Sequence, residues 1–169
     1  GKLTGSGSLI YNGPASITLG GNPLQNNTID FIGALTVNGG SLTVGSIGTR
    51  SVTINGGQLT LPFHRTLGLG ELSGKGGTLN ITGSFVTFTT NGVNSFAGVI
   101  ADSASGTGQN TFDGMGRLAL TGRSTAASPI IINTNSVVQF GDGGAAGGFF
   151  NNRIANNGSL IFNSSDSYT

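Results

Sequence analysis

The chain contains no cysteine and no tryptophan, and only one histidine and one methionine among its 169 residues. Without cysteine it can form neither disulfide bonds nor thiolate metal sites. Its stability must therefore come from side-chain packing and backbone hydrogen bonds.

Charge and long apolar runs are equally scarce. Charged residues make up 8% of the chain and the formal net charge is +1. Nucleic-acid binding needs a basic stripe that neutralises phosphates, and the scattered lysines and arginines supply none. No apolar stretch approaches the roughly 20 residues of a membrane-spanning helix. We therefore expect this segment neither to bind nucleic acid nor to insert into a membrane.

The abundant residues are small and polar. The chain has 32 glycines, and glycine, serine, threonine and asparagine together make up just over half of it. Such a bias also occurs in disordered chains, but 36% of the residues are hydrophobic and many of them alternate with polar ones. Alternation with a period of two predicts β-strands, and no apolar stripe of helical period is present. The sequence predicts an ordered all-β core.

One short phrase, Gly-x-Leu-x-apolar, recurs along the chain. It appears, among other places, at residues 7–11, 40–44, 57–61, 77–81, 116–120 and 158–162. In a strand, the leucine and the second apolar residue point to one face and the residue between them points to the other. The flanking glycines allow the sharp corners that return the chain for another pass.

The spacing of the phrases predicts a solenoid. Their leucines are separated by 33, 17, 20, 39 and 42 residues. The last two gaps correspond to two coils of about 20 residues each, and they hold suitable intermediates at residues 96–100 and 138–140. A period of about 20 suffices for one coil with two or three short strands. We predict an all-β parallel β-helix (β-solenoid) of roughly eight coils. Residues 1–169 would form a single solenoid segment, an excerpt of a longer repeat array.

An antiparallel sandwich is the competing interpretation, because Asn-Gly between strands is the strongest hairpin signal. This dipeptide begins at Asn12, Asn38, Asn55, Asn91 and Asn157. Three of these copies, however, sit at the start of a Gly-x-Leu phrase. A left-handed corner recurring at one point of each coil predicts that placement.

Strand alternation also predicts which side chains form the core. The residues expected to point inward are Leu9, Tyr11, Leu42, Val44, Leu59, Leu61, Leu79, Ile81, Leu118, Leu120, Val138, Phe140, Leu160 and Phe162. The residues expected to point outward are Thr43, Thr60, Asn80, Ala119, Gln139 and Ile161. Asn12, Asn38, Asn55 and Asn163 each follow the last apolar residue of a short strand, so their amides could stack along the solenoid axis.

The second half of the chain resembles a known family. Residues 94–100 (NSFAGVI) and 114–122 (GMGRLALTG) look like the autotransporter-associated β-strand repeat, N-x-F-x-G-x-I followed by G-x-G-x-L-x-L-x-G. Residues 138–144, 154–163 and 165–169 resemble its continuation. The match is good over 94–169, partial over 1–20 and loose over 21–93.

The resemblance implies a segment of a bacterial surface passenger domain. Such passengers are right-handed parallel β-helices, secreted through a separate C-terminal β-barrel, and the repeat carries no catalytic residues to transfer. We therefore expect a non-enzymatic structural protein, extracellular or at the bacterial cell surface. Its expected partners are neighbouring coils or subunits stacked end to end, and surface glycans or receptors of other cells. The alternative is a glycan-binding or glycan-cleaving β-helix.

The ionisable residues predict no catalytic, cofactor or metal site. Glycan cleavage needs paired carboxylates, and metal binding needs a carboxylate cluster. The six acids are Asp30, Glu71, Asp102, Asp113, Asp142 and Asp166. Asp102 and Asp113 could approach each other only if a loop folds back. A single aspartate before glycine, as in Asp113-Gly114 and Asp142-Gly143, more often caps a turn.

Four other motifs are weak. His64, after Pro62, is expected in a loop that leaves the rod, where recognition could occur. Residues 141–144 do not supply the tandem calcium-binding nonapeptide, and residues 74–76 (GKG) lack the Ser or Thr of a phosphate loop. Ice binding would need Thr-x-Thr in register on successive coils, but it occurs only at residues 87–89.

Overall fold

The computed structural model describes residues 4–19, 30–45, 48–61, 66–81, 83–102, 108–144 and 153–165. These residues form short strands joined by turns, and they contain no helix. In chain order the strands are β1 (Thr4–Gly5), β2 (Leu9–Tyr11), β3 (Ser16–Leu19), β4 (Asp30–Phe31), β5 (Ala34–Val37), β6 (Ser41–Val44), β7 (Ser51–Ile54), β8 (Gln58–Thr60), β9 (Thr66–Leu69), β10 (Glu71–Ser73), β11 (Thr78–Asn80), β12 (Phe85–Thr89), β13 (Val93–Phe96), β14 (Val99–Ala101), β15 (Gln109–Asp113), β16 (Arg117–Leu120), β17 (Ile130–Ile132), β18 (Val137–Phe140), β19 (Ile154–Asn156) and β20 (Ser159–Phe162).

The strands stack on three sides of a β-solenoid. The first side contains the pair β1-β4 and the sheet β9-β12-β15-β17-β19. The second side contains β2-β5-β7-β10 and β13-β16-β18-β20, which adjoin at the bridge between Gly74 and Phe96. The third side is the sheet β3-β6-β8-β11-β14. Each strand therefore lies beside its counterpart from the next turn.

Every strand pairing in the described residues is parallel. The predicted β-solenoid is confirmed, and the antiparallel sandwich is wrong. The Asn-Gly dipeptides that suggested hairpins lie at solenoid corners. Asn-Gly suits a corner for the same reason that it suits a hairpin, because both residues tolerate left-handed backbone.

The number of complete turns is slightly lower than predicted. The structure forms about six turns, against the roughly eight coils expected from the spacing. The chain does pass along the second side eight times. The third side, however, has only five strands within the described residues, β3, β6, β8, β11 and β14.

The core consists of apolar columns that run along the solenoid axis. Leu42, Leu59 and Leu79 occupy consecutive turns in register, and each is completely buried. The rings of Phe88 and Phe112 stack with centroids 5.1 Å apart. Of the predicted core, the buried members are Leu42, Val44, Leu59, Leu61, Leu79, Ile81, Leu118, Leu120, Val138 and Phe140.

The leucines of these Gly-x-Leu phrases do not lie in one column, although a corner recurring at one point of each coil would place them in one. Leu42, Leu59 and Leu79 lie on the third side, whereas Leu118 and Leu160 lie on the second side. Leu9 also lies on the second side. A glycine corner followed by alternating residues suits the start of either side, so the phrase marks a corner without specifying which one.

Phe162 is the clearest error in the predicted core, because 54% of its surface is exposed. It lies on β20, the edge strand of its sheet, and its ring meets that of Phe140 edge-on at 5.7 Å. Three other predicted core residues pack against the core but are only partly buried. They are Leu9 and Tyr11 on β2, the strand at the other end of the second side, and Leu160 on β20. A terminal turn has a neighbour on one side only, so its inward residues stay partly exposed.

Two of the predicted outward residues, Ala119 and Gln139, are buried. They are register partners on β16 and β18. The amide of Gln139 accepts a hydrogen bond from the Arg117 guanidinium and donates one to the Gly141 carbonyl at 2.6 Å. These polar contacts lie on the outer surface of the second side, at β16 and β18. Thr43, Thr60 and Asn80 are half-buried, and Ile161 is exposed.

A stack of left-handed glycines forms the corner before the third side. Gly40, Gly57 and Gly77 have φ values of 59°, 68° and 75°. A Cβ atom on Gly57 would lie 2.4 Å from the carbonyl oxygen of Gly40 in the preceding turn. Both the dihedral angle and the close approach of the turns therefore require glycine. This is the recurring left-handed corner that the sequence predicted.

We expect Leu118→Ala to lower the free energy of unfolding by about 2–5 kcal/mol, because the surrounding columns cannot collapse into the space left by the side chain. Met115→Ala is the control, since Met115 is 81% exposed. Urea denaturation followed by circular dichroism measures both. Equal stability of the two variants would show that Leu118 does not fill the core.

Gly57→Ala should destabilise the solenoid by more than about 2 kcal/mol, from the left-handed backbone and the contact with Gly40 combined. Gly68→Ala is the matched control, because a Cβ at Gly68 meets nothing within 4 Å and its strand favours side chains. The control should be neutral or slightly stabilising. A wild-type denaturation midpoint for Gly57→Ala would contradict the corner geometry.

Candidate functional site: polar ladders and the Asp102 corner

An asparagine ladder runs along the corner that follows the second side. Asn38 Nδ2 donates to Asn12 Oδ1 at 2.7 Å, and Asn55 Nδ2 donates to Asn38 Oδ1 at 2.9 Å. Their backbone amides bond to the preceding turn as well, Asn38 to the Tyr11 carbonyl and Asn55 to the Val37 carbonyl. The predicted stacking is confirmed for these three residues. Every side-chain bond of the ladder points in the same direction along the axis.

Asn163 does not join this ladder. It lies at the same corner, because its amide bonds to the Phe140 carbonyl after the second side, but it is several turns away. The intervening turns place Lys75, Ala97, Thr121 and Gly141 after their second-side strands. None of these four carries the side-chain amide that such a ladder requires.

The outer surface of the third side carries rows of uncharged polar groups. Thr18, Thr43 and Thr60 stand in register on successive strands, and Asn80 follows them. A parallel row consists of Ser16, Ser41, Gln58 and Thr78. Gln58 Nε2 donates to Thr60 Oγ1 at 2.8 Å, which ties the two rows together. A search for Thr-x-Thr overlooks this surface, because its rows mix serine, threonine and amides.

Asp102 is a buried carboxylate at the end of the third side. By the register of β11 with β14, it occupies the place that Ile81 has one turn earlier. Its Oδ1 accepts the backbone amide of Gly83 at 2.8 Å, and its Oδ2 accepts the hydroxyl of Ser128. The carboxylate therefore connects successive passes of the chain at this corner. Both oxygens serve to hold the corner together.

Asp113 lies at a different corner and has different partners. It ends β15 on the first side, in register with Thr89, and its Oδ1 accepts Asn133 Nδ2 at 3.3 Å. Asp102 follows β14 on the third side and Asp113 ends β15 on the first side, so the whole of β15 lies between the two residues along the chain. This placement does not bring them side by side as the paired carboxylates of glycan cleavage.

Asn110 is a completely buried amide inside the solenoid. On the first side it stands in register between Val86 and Ile130, and neither its Oδ1 nor its Nδ2 has a hydrogen-bond partner. An unsatisfied buried amide is destabilising relative to an apolar side chain. The sequence alone gives no sign of this burial, because a single polar residue on a strand is expected at the surface.

The described residues of the remaining sequence motifs have structural contacts and do not form a binding or catalytic site. His64 and Pro62 lie outside the described residues. Thr87 stacks on Thr111, and Thr111 accepts a bond from Gln109 at 3.0 Å. Asp142 Oδ1 accepts the Gly144 amide at 3.2 Å, which is the turn-capping role expected of it.

Within the described part of the chain, no three His, Cys, Asp or Glu residues come together as a metal site. No helix there is long and apolar enough to cross a bilayer. Comparison with protein-family models, with curated proteins and with solved structures finds no match.

Asp102→Ala should lower the free energy of unfolding by about 2–4 kcal/mol, because it leaves the Gly83 amide and the Ser128 hydroxyl buried without their acceptor. Asp142→Ala is the matched control, since Asp142 is exposed. Thermal and urea denaturation of the two variants measure the difference. An Asp102→Ala variant as stable as the control would show that the carboxylate does not hold this corner.

Proposed function

We propose that this chain is a non-enzymatic structural β-solenoid, part of the stalk of a bacterial surface passenger or adhesin protein, or of a surface fibre. The observation that carries the proposal is the continuity of parallel pairing along the axis. The second side alone stacks eight strands, and the asparagine ladder reinforces its corner. An extended rod of stacked turns suits a spacer that holds another part of a protein at a distance.

The core supports this proposal because it makes each turn depend on its neighbours. Apolar columns continue from turn to turn, and the buried acid Asp102 bonds to other passes of the chain. A turn can leave the stack only by breaking its backbone bonds together with its core contacts. Solenoids of this kind are stabilised mainly by contacts between neighbouring repeats.

The resemblance of residues 94–169 to the autotransporter-associated repeat suggests where the rod acts. That family belongs to bacterial passenger domains, so we place the chain outside the cell or at its surface. The absence of cysteine is compatible with this location, since packing and backbone bonding supply the stability.

A glycan-binding solenoid is the second candidate, and the third side favours it. Its two rows present hydroxyl and amide groups without charge, among them Thr43, Thr60 and Asn80. Such groups can hydrogen-bond sugar hydroxyls. Binding to a glycan array, lost in a Thr43→Val/Thr60→Val variant but retained in Thr87→Val on the first side, would select this candidate over the purely structural one.

We expect no release of reducing ends or unsaturated products when the chain is incubated with a panel of bacterial and host polysaccharides. The reason is that Asp102 is engaged in the corner and Asp113 is not paired with it. Turnover that disappears in Asp102→Asn or Asp113→Asn, with the fold intact by circular dichroism, would refute the non-enzymatic role.

Immunogold labelling of intact cells of the producing organism tests the location. A surface rod should be labelled without permeabilisation and removed by external protease. Labelling that requires permeabilisation and survives the protease would contradict a surface role, whatever the fold.

A further inference from the structure

The two edge strands of the second side carry almost the same sequence. Residues 7–12 read GSLIYN and residues 158–163 read GSLIFN. The first phrase contains β2, which ends the sheet of the early turns, and the second contains β20, which ends the sheet of the late turns. Among the described residues, the two edges of the second side thus present nearly identical side chains in the same order.

We propose that a second copy of this solenoid stacks head to tail on the first, with β2 of one copy pairing in parallel and in register with β20 of the other. This inference rests on the proposed structural role, and it specifies the partner and the contact. In this register Leu9 meets Leu160, Ile10 meets Ile161, and Asn12 meets Asn163. It is the register that β18 and β20 already have within one copy, carried forward by one turn.

On both edge strands, the backbone N–H and C=O groups that this pairing needs point away from the sheet. Asn38 N–H donates to the Tyr11 carbonyl, so the backbone N–H and C=O of Tyr11 face β5. Along a parallel strand, the backbone groups of successive residues point to opposite sides, so the N–H and C=O of Ile10 face away from β5. On β20, Asn163 N–H donates to the Phe140 carbonyl, so the carbonyl of Leu160 faces outward by the same alternation. Ile10 N–H would donate to Leu160 C=O.

The asparagine ladder has the matching polarity. Each Asn donates its Nδ2 to the Oδ1 of the preceding turn, so Asn12 uses its Oδ1 within the copy. Its Nδ2 donates no hydrogen bond to another described residue of the same copy. In the proposed contact this Nδ2 reaches Asn163 Oδ1 of the preceding copy. Asn163, which belongs to no ladder of its own, thereby continues one.

Side-chain exposure agrees with the contact. Leu9, Tyr11 and Leu160 are only partly buried, although they belong to the core columns, and Phe162 is 54% exposed. Inner members of these columns, such as Leu35 and Phe140, are 1% exposed. Stacking would bury the terminal residues as the inner turns bury theirs. The corners before the two edge strands also have the same length. Gly5, the end of β1, lies four residues before Leu9, and Asn156, the end of β19, lies four residues before Leu160.

Cysteine cross-linking tests the register, because the chain has no cysteine of its own. Ile10 and Ile161 are outward-facing and exposed, and adjacent strands about 4.8 Å apart allow a disulfide. On mild oxidation, an Ile10→Cys/Ile161→Cys variant should form a ladder of covalent multimers. The register-shifted Ile10→Cys/Ser159→Cys variant should form far fewer. Equal cross-linking of both, or disulfide dimers from Ile10→Cys alone, would overturn the head-to-tail contact.

Sedimentation velocity over a range of concentrations tests the association itself. The unmodified chain should form species of increasing length. Ile10→Pro removes the outward N–H and should weaken association by at least about tenfold, whereas Ile10→Thr keeps it and should not. Asn163→Ala should weaken association about three- to tenfold, whereas Asn55→Ala, inside the copy, should leave it unchanged.

The two proposals can fail separately. A chain that stays monomeric at all concentrations, with an unchanged circular dichroism spectrum, would overturn the stacking but leave the surface rod intact. Surface labelling lost in cells, with multimers still formed by the purified chain, would overturn the location and leave the stacking. Circular dichroism of Ile10→Pro shows whether its fold is retained, and Asn163→Ala provides the test if it is not.

Discussion

The parallel ladder between successive turns is the constraint on which the rest of this structure depends. It holds neighbouring strands about 4.8 Å apart and places each residue directly beside its counterpart in the next turn. A side chain is therefore surrounded along the axis by the residues at the same position of neighbouring turns. Leucine stacks on leucine in the core, and asparagine bonds to asparagine at the corner.

This constraint gives a physical reason for the scarcity of charge. Two like charges at the strand spacing repel by about 1 kcal/mol even in water, and by more near a protein surface. The described ladders avoid such pairs. Asp113 is followed by Asn133, which donates a hydrogen bond to it, and the Arg117 guanidinium bonds to Gln139. Asp113 thus has an amide beside it in the next turn, whereas Arg117 has valines in register and reaches the amide of Gln139 two residues further along the next strand.

The same constraint explains the glycine corners and the interior defects. Turns approach so closely at Gly57 that a Cβ would collide with the preceding carbonyl. Inside the solenoid, Asn110 interrupts a column of aliphatic residues without a bonding partner, whereas Asp102 is buried with both oxygens bonded. The two buried polar side chains therefore affect stability differently, because the side chain of Asp102 forms hydrogen bonds between turns and that of Asn110 forms none.

The sequence by itself determined the parallel solenoid, the inward columns of the third side and the asparagine ladder at residues 12, 38 and 55. These features follow from local rules, because alternation sets the face of each side chain and glycine sets the corners. Only the tertiary structure decided which side each Gly-x-Leu phrase occupies, since the same local pattern suits the start of two sides. It also decided the burial of Asp102 and Gln139 and the exposure of Phe162. Burial depends on what the neighbouring turns place beside a residue, and that information is not contained in the residue's own strand.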